Sequence, residues 1–137
     1  MVLRSAVAPR RVRAAVVQVL DYSDSHFGDA EAIQLCDVLK YTTRLGSLNL
    51  QLNDISDAGV VAIGKWLRAT PSPVRTLALI QNKFGVRGSA ALAGAITHND
   101  NLEGLSVYLG FNSLGEEGVG ALQEAQRCRP TVTVKFH

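Results

Sequence analysis

The sequence predicts an α/β solenoid of strand–turn–helix repeats, and three coincident spacings carry that prediction. Asn53, Asn82 and Asn112 recur at a nearly constant interval along the chain. A glycine follows each asparagine at the same distance, at Gly59, Gly88 and Gly118. An apolar-x-apolar pair precedes each asparagine. Self-similarity at one fixed period is typical of repeat architectures, in which each unit buries its apolar face against its neighbours.

The residues before each asparagine predict a strand, and those after each glycine predict a helix. Apolar residues five and three positions before the asparagine alternate as on a strand with one buried face; they are Leu48 and Leu50, Leu77 and Leu79, and Val107 and Leu109. Positions four and eight after the glycine share one helical face; they are Ile63 and Leu67, Leu92 and Ile96, and Leu122 with the polar Gln126.

A weaker copy precedes these three repeats, and an incomplete one follows them. Ser25 lies one period before Asn53, and Glu31 stands there in place of the glycine. At the other end, "PTVTVKFH" alternates Val132, Val134 and Phe136, which predicts a fifth strand without its helix. Such a strand would present an open parallel edge, so self-association through this C-terminal edge is predicted.

Two segments depart from the regular pattern. The stretch "NLEGLSVYLGFN" has more apolar positions than one strand needs, which predicts an extended strand or a two-residue bulge. Between the second and third strands, Pro71 and Pro73 are expected to stop a helix and lengthen the connection.

The pattern LxxLxLxxNxIxxxGxxxIxxxL resembles the leucine-rich repeats of the ribonuclease-inhibitor type, from residue 17 to about residue 136. The resemblance implies a short right-handed horseshoe with a parallel sheet on its concave side and helices on its convex side. We therefore predict a leucine-rich-repeat domain of about four and a half repeats over residues 15–137. Residues 1–14 are predicted to form a basic N-terminal tail or cap.

Composition argues against several classes of partner. Arg4, Arg10, Arg11 and Arg13 precede the first acid of the chain, Asp21, so the rest of the chain is slightly acidic. A nucleic-acid-binding surface would concentrate Lys and Arg, and a membrane span needs roughly 18 apolar residues in a row. We therefore predict no nucleic-acid partner and no membrane insertion.

The cysteines and the N-terminal head bear on the compartment. Cys36 and Cys128 are isolated, as in a reducing compartment, so a cytoplasmic location is predicted. The head is rich in arginine and free of acid, so a mitochondrial transit peptide is the alternative.

No group of residues in the sequence has the spacing of a catalytic or metal site. His26, His98 and His137 lack ligand partners at zinc-site spacing, and no glycine-rich segment matches a phosphate loop. Ser25 in "SDSHF" is better read as a turn residue than as a nucleophile. The sequence therefore predicts no enzyme, no metal and no cofactor.

Side chains on the outer face of the predicted strands form the candidate site for a protein partner. Asn53, Asn82 and Asn112 are assigned a structural role, in which their amides satisfy backbone groups of the turns. The predicted partner-binding residues are Asp21, Asn49, Gln51, Thr76, Ile80, Ser106, Tyr108 and Phe111. The predicted function is protein–protein recognition; the resemblance leaves two alternatives, a GTPase activator and a fragment of a larger, immune-receptor-like protein.

Overall fold

The structure, a computed structural model, describes residues 18–137. Five strands alternate with four α-helices, and one 3-10 helix precedes the fourth strand. In chain order the elements are β1 (Gln18–Asp21), α1 (Asp29–Leu39), β2 (Leu45–Asn49), α2 (Asp57–Ala69), β3 (Thr76–Ala78), α3 (Val86–His98), the 3-10 helix (Asp100–Leu102), β4 (Ser106–Tyr108), α4 (Gly115–Cys128) and β5 (Thr133–Lys135).

The strands form one parallel sheet in the order β1-β2-β3-β4-β5. Sequential neighbours in a parallel sheet need a crossover connection, and each helix here supplies one. The prediction of an α/β leucine-rich-repeat solenoid is confirmed. The predicted N-terminal tail or cap lies outside the described residues.

One continuous apolar core fills the space between the sheet and the helices. Each repeat contributes the two inward-facing strand residues, the residue two positions after the turn asparagine, and the buried stripe of its helix. The largest fully buried side chains include Phe27, Phe84, Leu48, Leu77, Ile63 and Leu67. Because the core extends from one repeat into the next, no repeat buries its leucines alone.

The amide of Asn53 connects two successive turns. Its Oδ1 accepts hydrogen bonds from the backbone N–H groups of Ser25 (3.0 Å) and Phe27 (2.9 Å). Its Nδ2 donates to the carbonyl oxygens of Tyr22 (3.0 Å) and Leu50 (2.9 Å). The turn backbone is buried here, so these polar groups need protein partners.

The same arrangement recurs one and two repeats later. Asn82 accepts from the N–H of Ile55 at 3.0 Å and donates to the carbonyl of Leu79 at 3.1 Å. Asn112 accepts from the N–H of Asn82 at 3.1 Å and donates to the same Leu79 carbonyl at 2.8 Å. Each asparagine therefore bonds the turn of the repeat before it as well as its own.

Two aspartates cap helices that belong to the following repeat, a role that the sequence did not reveal. Asp29, at the start of α1, accepts from the N–H groups of Ser56 (2.8 Å) and Gly59 (2.9 Å) at the start of α2. Asp57, at the start of α2, accepts in the same way from Gly85 (2.9 Å) and Gly88 (2.7 Å). A carboxylate at a helix N-terminus satisfies unpaired donors and interacts favourably with the helix dipole.

The repeat glycines allow neighbouring helices to approach closely. A Cβ on Gly88 would lie 2.9 Å from the Phe84 ring and 3.0 Å from Val60 of the preceding helix. The glycine therefore makes room both for the loop residue before its own helix and for the helix of the preceding repeat.

The expectation of an extended strand or bulge before Tyr108 is wrong. Leu102 ends the 3-10 helix, Gly104 has a positive φ of 80°, and the N–H of Leu105 donates to the carbonyl of Leu102 at 3.1 Å. Leu102 and Leu105 are both buried, so the extra apolar residues fill the core through a tight turn. Strand β4 has only three residues and pairs with β3 without a register shift.

The predicted open edge at β5 is partly satisfied within the chain. The N–H of Thr133 and the carbonyl of Lys135 bond the β4 segment, so the N–H of Val134 points away from the sheet. The side chain of Gln126 accepts from that N–H at 2.9 Å. Gln126 occupies the position of Leu67 and Ile96 in the earlier repeats, so its polar side chain has a structural use.

The helices between residues 18 and 137 lack the combination of length and apolar character that crossing a bilayer requires.

Helix α2 ends at Ala69, shortly before Pro71 and Pro73, as those prolines predict.

Candidate functional site: the concave face

The strand register places the outward-facing side chains in rows across the sheet. One row joins the positions Ser47, Thr76, Ser106 and Thr133. The next row, one pleat further along the strands, runs through Asp21, Asn49, Ala78, Tyr108 and Lys135. Beyond the strands, the backbone N–H of Leu52 donates to the carbonyl of Ile80, and the N–H of Gln81 donates to the carbonyl of Gly110. These two hydrogen bonds align a third row, which runs through Gln51, Ile80 and Gly110.

The predicted partner-binding residues all lie on this face or at its turn edge, but they differ in exposure. Asp21 and Phe111 are exposed. The other six are half-buried, so Ile80 and Tyr108 are less accessible than the sequence suggested; they are Asn49, Gln51, Thr76, Ile80, Ser106 and Tyr108. Val19 and Lys135, which were not chosen, are exposed at the two edges of the sheet.

Asp21 and Asn49 each bond the backbone two residues ahead. The Oδ1 of Asp21 accepts from the N–H of Ser23 at 2.9 Å, and the Oδ1 of Asn49 accepts from the N–H of Gln51 at 3.1 Å. Hydrogen bonds from the side chain and backbone of Ser23 lower the pKa of Asp21 below its usual value. Each side chain therefore helps to end its strand through one oxygen, and the Nδ2 of Asn49 has no bond within residues 18–137.

Residues in the left-handed conformation precede each turn asparagine. Leu52, Gln81 and Phe111 have φ values of 60°, 57° and 58°. This conformation costs a non-glycine residue about 1–2 kcal/mol. Phe111 is 78% exposed and so gains little burial in return, whereas Leu52 is 42% exposed. Both apolar side chains therefore extend the concave face outward at its turn edge.

Two small residues lower the middle of the concave face. Ala78 stands between Asn49 and Tyr108 in one row, and Gly110 follows Ile80 in the next. A Cβ on Gly110 would lie 3.1 Å from the backbone of His137. The sequence analysis missed Gly110, because only the register shows that the C-terminal residues run beside it.

The charges of this face lie at its two edges rather than in its centre. Asp21 on β1 and Lys135 on β5 occupy opposite ends of one row, with Asn49, Ala78 and Tyr108 between them. At the turns, Lys83 and Asp54 form an exposed ion pair at 3.1 Å. The centre of the face therefore combines polar and apolar groups without net charge.

Within residues 18–137, no group of three or more His, Cys, Asp and Glu side chains is arranged to hold a metal ion. Cys36 and Cys128 are free thiols on different helices, α1 and α4.

Comparison with known proteins agrees with this geometry. Residues 45–64 match the family described as Leucine Rich repeat. The chain is 33% identical over 107 residues to the NACHT, LRR and PYD domains-containing protein 12 of Mus musculus, covering 76% of this chain and 10% of that protein. It is 35% identical over 91 residues to the NACHT, LRR and PYD domains-containing protein 13 of Homo sapiens, and this match covers 66% of this chain and 8% of that protein.

The chain thus spans about a tenth of the length of the curated relatives it matches. Among solved structures, Leiomodin-1 Actin-Binding Site 2 superposes with a TM-score of 0.73 at 18% identity, covering 87% of this chain and 69% of that one. At this identity the likeness concerns the fold. The repeat geometry, the matched repeat and these relatives together identify the chain as a leucine-rich-repeat protein.

Proposed function

We propose that this protein binds a protein partner through the concave sheet and the turns beside it, and that Tyr108, Ile80 and Phe111 are the central contacts. A few aromatic and large apolar side chains supply most of the binding energy in many interfaces. Ala78 and Gly110 lower the surface beside these three residues, which leaves room for side chains of a partner. The remaining predicted contacts supply polar groups around them; they are Asp21, Asn49, Gln51, Thr76 and Ser106.

The observation that carries this proposal is the placement of Phe111. An aromatic residue that is 78% exposed and left-handed contributes little to folding and costs backbone energy. A folding role therefore does not explain a phenylalanine at this position, whereas contact with a partner does.

We expect Phe111→Asn to remove partner binding while leaving the fold intact. Asparagine tolerates the left-handed region better, so the free energy of unfolding should stay the same or rise by about 0.5 kcal/mol. The measurement is affinity capture from cell lysate by the intact chain and the variant, with urea unfolding of both.

Tyr41→Asn is the matched control, because Tyr41 is another aromatic with 79% exposure and follows helix α1, away from the concave face. A protein captured by the intact chain and by Tyr41→Asn, but lost with Phe111→Asn, supports the proposal. The triple variant Asn49→Arg, Ile80→Arg and Tyr108→Arg should lose the same protein. If all folded variants capture the same protein equally well, partner binding through the concave face is contradicted.

The same repeats also support a role as part of a longer leucine-rich-repeat array. The relatives that match this chain are several times longer, and the match covers 10% of one and 8% of the other. In that setting the concave face would continue across further strands, and the partner would contact more than the face described above. No observation on the described residues favours GTPase activation.

Self-association through β5 is a further proposal, and Gln126 is expected to limit it. Replacing Gln126 with leucine frees the outward N–H of Val134, so the edge should pair more readily with another chain. Sedimentation at increasing protein concentration should show more dimer for Gln126→Leu than for Gln34→Leu, which adds the same apolar group at an exposed position of α1, away from β5. Equal sedimentation of the two variants would contradict self-association through β5.

A further inference from the structure

An apolar groove runs along the convex surface between helices α1 and α2. Its cavity volume is about 520 Å³. Ile33 and Cys36 line it from α1, and Val61, Ala62 and Trp66 line it from α2. The α2 stripe from Ala58 to Ala69 is roughly 16 Å long at about 1.5 Å per residue.

The groove has a cause in the sequence. Between α2 and α3, Gly64 lies so near Ala91 that a Cβ on it would be 2.8 Å from the Ala91 Cβ. One repeat earlier, the corresponding residues are Cys36 and Ala62. The cysteine side chain occupies space where the glycine has none, so α1 and α2 cannot approach each other in the same way. Both residues line the groove.

The Cys36 thiol does not make the groove a reactive site. Burial, with a smaller contribution from Asp37, raises the pKa of Cys36 to about 12. The thiol therefore stays protonated at neutral pH, and a protonated thiol is a poor nucleophile. Its contribution to the groove is a small apolar surface.

Polar groups at the groove distinguish one kind of ligand. Lys40 and Asp37 form an exposed pair at 4.0 Å, whereas Lys65 has no ion-pair partner among residues 18–137. The indole Nε1 of Trp66 is buried and has no hydrogen-bond acceptor within the same part of the chain. Lys65 therefore places one positive charge at the groove that no acid among residues 18–137 pairs with, whereas the buried Trp66 Nε1 is not accessible to a ligand there.

The size of the groove is compatible with a small-molecule ligand. A volume of about 520 Å³ falls in the range of small-molecule pockets, roughly 300–1,000 Å³. A stable protein interface needs about 800 Å² from each partner, more than a single groove of this length between two helices offers. We propose that this groove binds a small apolar acid, with its chain on Ile33, Val61 and Trp66 and its carboxylate at Lys65.

This site is independent of the concave face, since it lies on the opposite surface of the solenoid. The probe is decanoate, and the readout is the fluorescence of Trp66, which is the only tryptophan in the sequence. We expect a saturable change in emission on titration with decanoate. Decanol, which lacks the negative charge, should bind more weakly.

Two pairs of variants test the groove and the charge. Ala62→Phe fills the groove and should abolish the saturable change, whereas Ala90→Phe on the exposed side of α3 should preserve it. Lys65→Glu should weaken decanoate binding about fivefold without affecting decanol. Arg87→Glu changes the same charge on α3, outside the groove, and should leave both ligands unchanged.

Circular dichroism of each variant separates loss of binding from loss of folding, and the exposed Lys65→Glu keeps the test available if Ala62→Phe unfolds. The absence of a saturable emission change with decanoate would overturn the proposal. So would equal decanoate affinity of Lys65→Glu and Arg87→Glu, or an unaltered titration of folded Ala62→Phe.

Discussion

Replacing Asn53 with alanine is expected to lower the free energy of unfolding by about 4 kcal/mol, the largest loss that we predict for any side chain of the turns. The substitution leaves the N–H groups of Ser25 and Phe27 and the carbonyl of Tyr22 without the amide that bonds them. A buried backbone group that loses its partner costs about 1–3 kcal/mol. The carbonyl of Leu50 keeps its bond from Asn82.

Asn49→Ala is the control for that prediction. Asn49 lies four residues earlier, on the concave face, and its side chain bonds only the N–H of Gln51 within residues 18–137. That N–H is near the surface and can bond water instead, so we expect a loss below about 1 kcal/mol. Urea unfolding monitored by circular dichroism measures both variants. Equal losses would show that the Asn53 amide does not connect the turns energetically.

Gly64→Ala is expected to destabilise the protein by about 2 kcal/mol, although alanine is normally the better helix former. The new Cβ would lie 2.8 Å from the Cβ of Ala91 and 2.9 Å from both its carbonyl carbon and oxygen. Two of these atoms belong to the backbone of α3, so α2 and α3 must move apart to relieve the overlap. That movement also disturbs the leucines packed beneath the two helices.

The matched substitution Gly120→Ala should have the opposite sign. Gly120 lies inside α4, and no atom lies within 4 Å of the position its Cβ would take. Alanine there loses less backbone entropy on folding, so the free energy of unfolding should rise by about 0.5–1 kcal/mol. Thermal and urea unfolding of the two variants tests the pair. A shift in the same direction for both would refute the close-packing explanation.

The repeat period was predictable because burial imposes it on the sequence. A strand with one buried face needs apolar residues at alternate positions, and a helix packed on it needs them every three or four residues. Those two periods, together with the turn asparagines, placed a strand before each asparagine and a helix after it. The segment before Tyr108 was the exception, since Leu102 and Leu105 fit either a longer strand or a tight turn.

The candidate binding face was predictable only as a list of outward positions. Alternation indicates which strand residues face away from the core, but it does not give their neighbours on other strands. The register brings Ala78 beside Tyr108 and aligns Gly110 with Ile80. The left-handed conformation of Phe111, on which the functional proposal depends, recurs before each turn asparagine, but only the backbone of the folded turn shows it.

The sequence by itself determined the repeat, the fold class and the positions of the core leucines, because these depend on periodic burial along the chain. Only the tertiary structure decided which distant groups meet: Asp29 and Asp57 cap the helices of the following repeats, and Gln126 bonds the edge of β5. It also decided that α1 and α2 leave a groove between them, which Cys36 and Ala62 both line. Such contacts depend on the spacing between stacked repeats, which single-residue patterns do not encode.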